Sequence, residues 1–332
     1  MNKMINELVN EVKKVIKGKD DKIIEVVMAM LASGHVLLED NPGLGKTVLA
    51  KTLSRAMAVD QKRIQFTPDT MPTDIVGMVM MEKKFEDGRE QYKKHFEGGP
   101  VFTNILLADE INRTSGKTQA ALLEVMEECT VTADGKTREL PSPFMVIATQ
   151  NPNTSGGTQQ LPEAQLDRFI IKTSMGYPDE EGEVSMLMDD NGSNSLDRVM
   201  AVINAEEMNH MRQEVKKTYM DENVARYIVR LCAYTRNQKD KITVGISPRG
   251  AKALTKMAKA HAFISGRDYV TVEDVQQVIP SVFSHRLILT PSYRREENAI
   301  GKVLSEMLGA VVAPQVAGYR NDYNGMFDIK AV

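Results

Sequence analysis

The sequence predicts an α/β domain followed by a smaller, helical domain. Five short apolar runs rich in branched residues recur in the first half of the chain, and helical patterns separate several of them. Continuous apolar strands that alternate with helices are typical of a parallel sheet covered on both faces. At 332 residues the chain is also longer than most single cores, which stop growing at roughly 250 to 300 residues. The five predicted strands are 35–39, 63–66, 104–109, 144–149 and 169–173.

The second domain is predicted from a change in composition after Tyr177. Beyond that point no comparable strand run occurs, whereas several helices have readable ends. One begins at Ser247, whose side chain can cap a helix, and stops at Gly266, a residue suited to the left-handed position past a helix end. Another begins at Thr271 with a variant of the capping box. The predicted domains are an α/β core at 1–176 and an all-helical lid, with a C-terminal tail, at 177–332.

The composition indicates an ordinary globular protein without a strong overall charge. Hydrophobic residues make up 42% of the chain and charged residues 26%, and the net charge of -3 gives no field that attracts nucleic acid or an anionic membrane. No stretch approaches the roughly 20 apolar residues needed to span a bilayer. Cys129 and Cys232 lack the spacing of a zinc site or a disulfide framework. These features predict a protein of the reducing cytoplasm.

A candidate phosphate-binding loop, DNPGLGKT, spans residues 40–47 between a predicted strand and an amphipathic helix. Its backbone N–H groups and the helix N-terminus form a positive concavity for phosphates, to which Lys46 adds a full charge. Thr47 offers a hydroxyl to Mg²⁺. Asp40 stands where the strict pattern G-x-x-x-x-G-K-[ST] has glycine, but this position lies at the strand end, and we expect the loop to work. The residues predicted to bind the nucleotide are Asp40, Asn41, Pro42, Gly43, Leu44, Gly45, Lys46, Thr47 and Val48.

A second motif, NILLADEINR, carries two acidic residues directly after an apolar strand. Ligands bind at the carboxyl ends of the strands in open α/β sheets. We expect Asp109, together with Thr47, to hold Mg²⁺, and Glu110 to polarise the attacking water as general base. The Asp-Glu pair in place of D-x-x-G favours ATP hydrolysis over a GTP switch, and NQKD at 237–240 has its lysine in the wrong place for a guanine motif. ATP and Mg²⁺ are therefore the predicted cofactors.

With these motifs the chain resembles the MoxR family of AAA+ ATPases, in which Asp or Gly often occupies the position of Asp40. The resemblance covers most of residues 10–290, in order and with sensible spacing. It implies a P-loop core with a parallel five-stranded sheet of order 5-1-4-3-2, a helical lid, and ATP held between neighbouring subunits of a ring, with a hexamer expected. The segments that carry it are HVLLEDNPGLGKT (35–47), RIQFTPDTMPTDIVG (63–77), GPVFTNILLADEINR (99–113), ALLEVMEE (121–128), ATQNP (148–152), LPEAQLDRF (161–169) and GISPRGAKAL (245–254).

The resemblance also implies roles for individual polar residues. Asn151 matches sensor 1, a polar group that helps the general base to orient water. Arg249 matches sensor 2, which reaches from the lid to the γ-phosphate. Arg168 matches the arginine finger, which stabilises charge on the nucleotide of the adjacent subunit. The segment around Gly18, VIKGKDD, resembles the family's N-terminal segment, which lines the adenine pocket. Two roles remain open for Arg113: it acts across the interface between subunits, or it positions the acidic strand end.

Two segments with D-G turns, 78–99 and 129–140, are predicted to form β-hairpins. They resemble the helix-2 insert hairpin and the pre-sensor-1 hairpin, which in relatives project into the ring pore or onto its face. Surface hairpins without a mechanical role are the alternative. Lysine and arginine residues that could form a basic pore lining are Lys83, Lys84, Lys93, Lys94, Lys136 and Arg138.

The leading hypothesis for function is an ATP-driven machine that remodels a partner protein or complex, as MoxR relatives do with von Willebrand factor A domain partners. In this hypothesis hydrolysis moves the lid relative to the core. A nucleic-acid motor is an alternative because replicative helicases share both hairpins, but the slightly acidic charge balance and the lack of a zinc module oppose it. A chelatase-type subunit and a nucleotide-dependent scaffold with little turnover are further alternatives.

Overall fold

The computed structural model describes residues 2–41, 43–86, 89–152, 161–188 and 196–314. The predicted loop residue Pro42 and the tail from 315 onward lie outside these ranges. Within them, no helix is both long and apolar enough to cross a membrane. The strands are β1 (Val36–Glu39), β2 (Gln61–Gln65), β3 (Gly77–Glu86), β4 (Arg89–Gly98), β5 (Ile105–Asp109), β6 (Thr130–Ala133), β7 (Lys136–Glu139), β8 (Met145–Gln150), β9 (Ile171–Thr173), β10 (Ile242–Val244) and β11 (Ile288–Leu289). The α-helices are α1 (Lys3–Lys13), α2 (Asp20–Leu31), α3 (Lys46–Ala56), α4 (Pro72–Val76), α5 (Gly116–Glu128), α6 (Glu163–Leu166), α7 (Glu180–Met188), α8 (Ala205–Lys217), α9 (Glu222–Asn237), α10 (Pro248–Ile264), α11 (Val272–Phe283) and α12 (Ala299–Ala310).

The central sheet contains five parallel strands in the order β2-β5-β8-β1-β9. When these five are numbered along the chain, the order reads 5-1-4-3-2, so the predicted fold class and topology are confirmed. In the register, Val36 of β1 lies between Ile147 of β8 and Ile171 of β9. The strands β1, β5 and β8 are buried along nearly their whole length, as expected for apolar strands covered by helices on both faces.

Three polar strand ends lie side by side at one edge of this sheet. β1 ends at Glu39, β5 ends at Asp109 and β8 ends at Gln150, and parallel neighbours bring their carboxyl ends to the same edge. The loop after β1 leads directly into α3, which begins at Lys46. The sheet therefore assembles the candidate loop, the acidic pair and a third strand end in one place.

Both predicted hairpins form, with β3 antiparallel to β4 and β6 antiparallel to β7. The turn of the first hairpin, at 87–88, lies outside the described residues. In the second hairpin Asp134 and Gly135 have φ angles of 52° and 70°, the pair of left-handed residues that a type I′ turn requires. The hairpins contact each other, because Lys94 Nζ lies 3.3 Å from Asp134 Oδ1 and the Arg138 guanidinium lies 3.9 Å from the centre of the Phe96 ring.

The lid is mainly helical, as predicted, with one correction. β10 and β11 pair antiparallel, so the lid also contains a two-stranded ladder. These strands have three and two residues, which is too short for a period-two pattern to reveal them. The helix ends agree with the sequence: Ser247 Oγ accepts a hydrogen bond from Gly250 N at 3.1 Å, Gly266 has a φ of 80°, and Thr271 forms its capping box with Asp274.

One apolar core continues from the α/β domain into the lid. The N-terminal helix α1 packs on α3 of the core domain and on α2, and α2 packs on α8 and α10 of the lid. The backbone N–H of Asn2 donates to the carbonyl of Ile264 at 2.8 Å, and Nε of the buried Arg212 donates to the carbonyl of Met30 at 2.8 Å. The first two helices thus join the two domains.

A buried ionic cluster around Asp274 stabilises the lid between α10 and α11. The Asp274 side chain is 1% exposed and accepts hydrogen bonds from both Nη atoms of Arg267, at 2.5 and 2.6 Å, from His261 Nδ1 at 2.5 Å and from Thr271 N at 2.7 Å. Burial alone would raise the pKa of Asp274, but the hydrogen bonds from Arg267, His261 and Thr271 outweigh it and lower this pKa to about 2. The ionised form is therefore the one that the fold favours.

The depressed pKa of Asp274 predicts a loss of lid stability in acid. Because the folded pKa lies below the ordinary value, this contribution is complete above the unfolded pKa and is lost as the pH falls toward 2. We expect the group to contribute about 2 kcal/mol to the free energy of unfolding near neutral pH. Asp274→Asn should be destabilised near neutral pH and should lose this acid sensitivity, measured by urea unfolding across the acidic range. Asp221→Asn, at the cap of α9, is the matched control, and equal acid sensitivity in the two variants would contradict the assignment.

Candidate active site

The loop after β1 forms an open concavity in front of α3. Gly43 and Gly45 have φ angles of 89° and 76°, and a Cβ added at either would meet no atom within 4 Å. The loop therefore needs the backbone freedom of glycine and leaves open space in front of it, which is where a phosphate can approach the N–H groups at a helix N-terminus. The adjoining cleft has a volume of about 420 Å³.

Lys46 directs its ammonium group along this loop. Its Nζ donates to the carbonyl of Asp40 at 2.9 Å and to the carbonyl of Asn41 at 3.3 Å. Burial lowers the pKa of Lys46, while the charges of Asp40, Asp109 and Glu110 act in the opposite direction. Within the described residues the hydrogen bonds of this half-buried cation go to carbonyl oxygens, and it can exchange them for phosphate oxygens, which are stronger acceptors.

Asp40 borders the cleft, but its carboxylate is committed to another part of the chain. Oδ1 accepts from Ser174 Oγ at 2.6 Å and from Gly176 N at 3.1 Å, and Oδ2 accepts from Met175 N at 2.8 Å. The residue is 4% exposed. The aspartate at the first position of the loop therefore fastens the loop to the segment that follows β9, a role that glycine could not perform.

We expect Asp40→Ala to weaken ATP binding about tenfold, because loss of hydrogen bonds to buried donors costs about 1–3 kcal/mol and detaches 174–176 from the loop. The affinity for a fluorescent ATP analogue is the measurement. Asp69→Ala, at an exposed position near β2, is the control. Equal affinity in the two variants would show that the link is not needed for binding.

A second cleft of about 510 Å³ continues from the loop toward the N-terminal helices. Its apolar walls suit the base of a nucleotide whose phosphates lie on the loop. Gly18 does not line this cleft itself, although its neighbours do. Gly18 has a φ of 65°, and a Cβ there would lie 2.8 Å from Asp179 Oδ1, so the residue shapes the wall through its backbone. The lining residues are Val15, Ile16, Lys17, Lys19, Gly43, Leu44, Gly45, Val48, Met175, Gly176, Tyr177, Pro178, Glu183 and Leu187.

Asp109, at the end of β5, faces the loop and is held by two donors. Thr149 Oγ1 donates to Oδ1 at 2.5 Å, and Arg63 Nη2 donates to Oδ2 at 2.6 Å. Among the described residues no cluster of three or more acidic, His or Cys side chains could hold a metal alone. Asp109 and Thr47 line the same cleft, and one carboxylate with one hydroxyl fits Mg²⁺, which binds proteins through few side chains and takes further oxygens from phosphates and water.

Glu110 is held in a defined position beside Asp109. Its Oε2 accepts from Gln65 Nε2 and from Arg113 Nη1, both at 2.8 Å, and its N–H donates to Thr149 Oγ1 at 2.9 Å. Its φ of 57° is left-handed, which is uncommon for a non-glycine residue and is found at functional sites. Of the two roles considered for Arg113, the contact seen here is the positioning of the acidic strand end.

The structure brings most of the predicted binding residues to one cleft. Sequence reasoning missed four polar residues there, Arg63, Gln65, Thr149 and Gln150. The sequence contains part of the signal, because Arg63 and Gln65 occupy alternate positions of β2 and Thr149 stands two positions before Asn151. The pairing of β2 with the acidic strand is seen only in the fold. The cleft is lined by Asp40, Gly43, Leu44, Gly45, Lys46, Thr47, Val48, Arg63, Gln65, Asp109, Glu110, Thr149, Gln150 and Asn151.

Two other predicted residues, Arg168 and Arg249, lie together in a separate cleft, and Asn41 does not line the cleft of the phosphate loop. Arg249 Nη2 is 2.6 Å from Glu127 Oε1, and Arg168 Nη1 is 3.5 Å from Glu127 Oε2. Neither arginine lines the cleft of the phosphate loop. α10 begins beside the arginine of the 161–169 segment, and the expected reach of Arg249 from the lid to the γ-phosphate stays a prediction.

Comparisons with known proteins agree with this architecture. The sequence profile of the ATPase family associated with various cellular activities (AAA) matches residues 35–171, and that of the AAA lid domain matches residues 235–306. The uncharacterized protein YeaC of Bacillus subtilis is 42% identical, with 94% of this chain and 95% of that protein aligned. Chaperone MoxR1 of Mycobacterium tuberculosis is 38% identical, with 92% and 81% aligned. The crystal structure of a candidate ATPase from Cytophaga hutchinsonii is 35% identical, has a TM-score of 0.85, and aligns with 94% of this chain and 95% of that one.

Proposed function

The chain belongs to the MoxR family of AAA+ ATPases, and on this premise we propose that it hydrolyses ATP to ADP and phosphate, with Mg²⁺, to remodel a partner protein. One observation carries the proposal. The phosphate-loop lysine, the carboxylate of Asp109 and the carboxylate of Glu110 line a single cleft at the carboxyl edge of the parallel sheet. This arrangement supplies phosphate binding, metal coordination and a base within one site.

Each residue of the cleft has a defined task in this reaction. When bound, magnesium triphosphate supplies the phosphoryl group to be transferred and a divalent charge that offsets its oxygens. Lys46 and the N–H groups of the loop bind phosphate oxygens, while Thr47 and Asp109 hold the metal. Glu110 takes a proton from the attacking water, and Gln65 and Arg113 set the direction of its carboxylate before that step. Asn151 lines the cleft beside Glu110 and orients the same water.

The position of Arg168 and Arg249 supports action on a neighbouring subunit. Both side chains are partly exposed, at 31% and 47%, and within the described residues they share Glu127 as an ion-pair partner. Head-to-tail contacts between identical subunits place one surface against a different surface and close into rings. We propose a ring, most simply a hexamer, in which these two arginines stabilise charge on the nucleotide of the next subunit.

The remodelling role and the partner are inferred from the family. A relative named as a chaperone, at 38% identity, supports action on proteins. The proposed partner carries a von Willebrand factor A domain, and the proposed location is the cytoplasm, where ATP and Mg²⁺ are available. Glu110→Gln should retain such a partner in ATP but not in ADP, and retention that is independent of the nucleotide would contradict the remodelling role.

Phosphate release by the purified chain tests the proposed reaction. We expect release from ATP that requires Mg²⁺, and a rate per subunit that rises with protein concentration because the site is completed by a neighbour. Lys46→Ala is the control, since it loses the charge that binds phosphate. A rate that is no higher than that of Lys46→Ala at any concentration would refute ATP hydrolysis, and a rate per subunit that does not depend on concentration would refute the shared site.

A further inference from the structure

Asp167, the residue before Arg168, links the core domain to two elements of the lid. Its Oδ1 accepts from Arg286 Nε at 2.6 Å, and its Oδ2 accepts from Ser247 Oγ at 2.9 Å. Arg286 follows the C-terminal end of α11, and Ser247 is the cap residue of α10, two positions before Arg249. One carboxylate therefore lies between the backbone that carries Arg168 and the helix start that carries Arg249.

The side chain of Arg286 is buried at this position, not exposed on the surface. Its side chain is 3% exposed, and its Nη2 donates to the carbonyls of Phe169 at 2.6 Å and Asp167 at 3.2 Å. Its Nη1 donates to the carbonyl of Ile170 at 3.1 Å. A Cβ added to Gly250 would lie 3.0 Å from Arg286 Cδ, so the glycine in the SPRG segment provides room for this side chain.

The charges in the cleft show why a carboxylate is needed there. Arg168, Arg249 and Arg286 line one cleft, and like charges in so small a space repel each other. Burial lowers the pKa of Arg286, Arg249 lowers it further, and Asp167 opposes both. Arg168 Nε is buried and has no hydrogen-bond partner among the described residues, so the inner part of this side chain depends on the backbone at 167–168, while Nη1 is paired with Glu127.

We propose that Asp167 and Arg286 are positioning residues that hold Arg168 and Arg249 as one rigid pair for the nucleotide of the neighbouring subunit. This inference rests on the proposed function, because it assigns the pair to the site that two subunits share. The link acts through Asp167 on both arginines: its backbone fixes Arg168, and its bond to Ser247 fixes the start of the helix that carries Arg249. An error of about 1 Å in such a position can lower a rate about 10²-fold.

Mixing two inactive variants tests the inference. We expect Asp167→Asn to lower phosphate release about 10²-fold while its own affinity for a fluorescent ATP analogue stays at the wild-type value. Glu110→Gln is inactive in its own cleft but keeps intact arginines. In rings mixed at equal ratio, an Asp167→Asn cleft beside a Glu110→Gln neighbour is complete, and random order makes roughly a quarter of the interfaces active. Recovery of about that share of wild-type turnover is the expected result.

Controls separate this inference from the proposed function. Arg168→Ala mixed with Glu110→Gln should recover activity in the same way. If that mixture recovers and the Asp167→Asn mixture does not, or if Asp167→Asn loses nucleotide affinity, the positioning role is wrong and the shared site stands. If neither mixture recovers, the shared site itself is wrong.

A milder variant covers the case in which Asp167→Asn does not assemble. Ser247→Ala removes one bond to Asp167 together with a helix cap, and Asn204→Ala removes the cap of α8 without touching Asp167. We expect Ser247→Ala to lose turnover and to regain it when mixed with Glu110→Gln. Asn204→Ala should not lose turnover. Equal turnover in the two cap variants would overturn the inference.

Discussion

Replacing Arg168 with alanine is expected to lower ATP turnover about 10³-fold or more, the range seen when an arginine that stabilises a phosphoryl transition state is removed. The reason is geometric: Arg168 does not line the cleft of its own phosphate loop, and in the proposed ring its charge would act on the nucleotide of the next subunit. Phosphate release from assembled protein is the measurement, together with the affinity for an ATP analogue, which should not change.

Two observations would decide the Arg168 experiment. Arg226→Ala, an exposed arginine of α9 paired with Glu222, is the control and should keep wild-type turnover. Size-exclusion chromatography must show that the Arg168→Ala protein assembles as the wild type does. Unchanged turnover per subunit in an assembled Arg168→Ala protein would mean that this arginine is only a surface ion-pair partner of Glu127.

The second large effect is expected at Glu110. Glu110→Gln should lower turnover about 10²- to 10⁴-fold, because the amide cannot take the proton of the attacking water. ATP binding should persist, since Lys46 and the loop are untouched. Glu124→Gln, at an exposed position of α5, is the matched control. If Glu110→Gln turned over ATP within a few-fold of the control, Glu110 would not be the general base.

The fold could be predicted because its signals are local. Five apolar runs, separated by helical patterns, identify a parallel sheet without any knowledge of distant contacts. The acidic pair at 109–110 and the loop at 40–47 were also recognisable, since each is a short motif at a strand end. The lid ladder of β10 and β11 was not, because two short strands separated by more than forty residues leave no pattern.

The parts of the site that could not be predicted depend on contacts between distant segments. Asp40 looks like a departure from the loop pattern until its partners at 174–176 are known. The position of Arg249 depends on how the lid packs, which no motif in its own segment records. Arg63 and Gln65 obtain a role only because β2 lies next to β5 in the sheet.

The continuous hydrophobic packing of α1 and α2 between the sheet and the lid bears on how work is delivered. Swinging one domain against the other would pull apart close-packed methyl and methylene groups and admit water between them. We therefore expect the core domain and the lid of one chain to move together as a rigid unit. In the proposed ring we therefore expect motion at the contacts between subunits, in place of the lid-against-core motion of the first hypothesis. Cross-links between subunits, rather than within one chain, should then stop turnover.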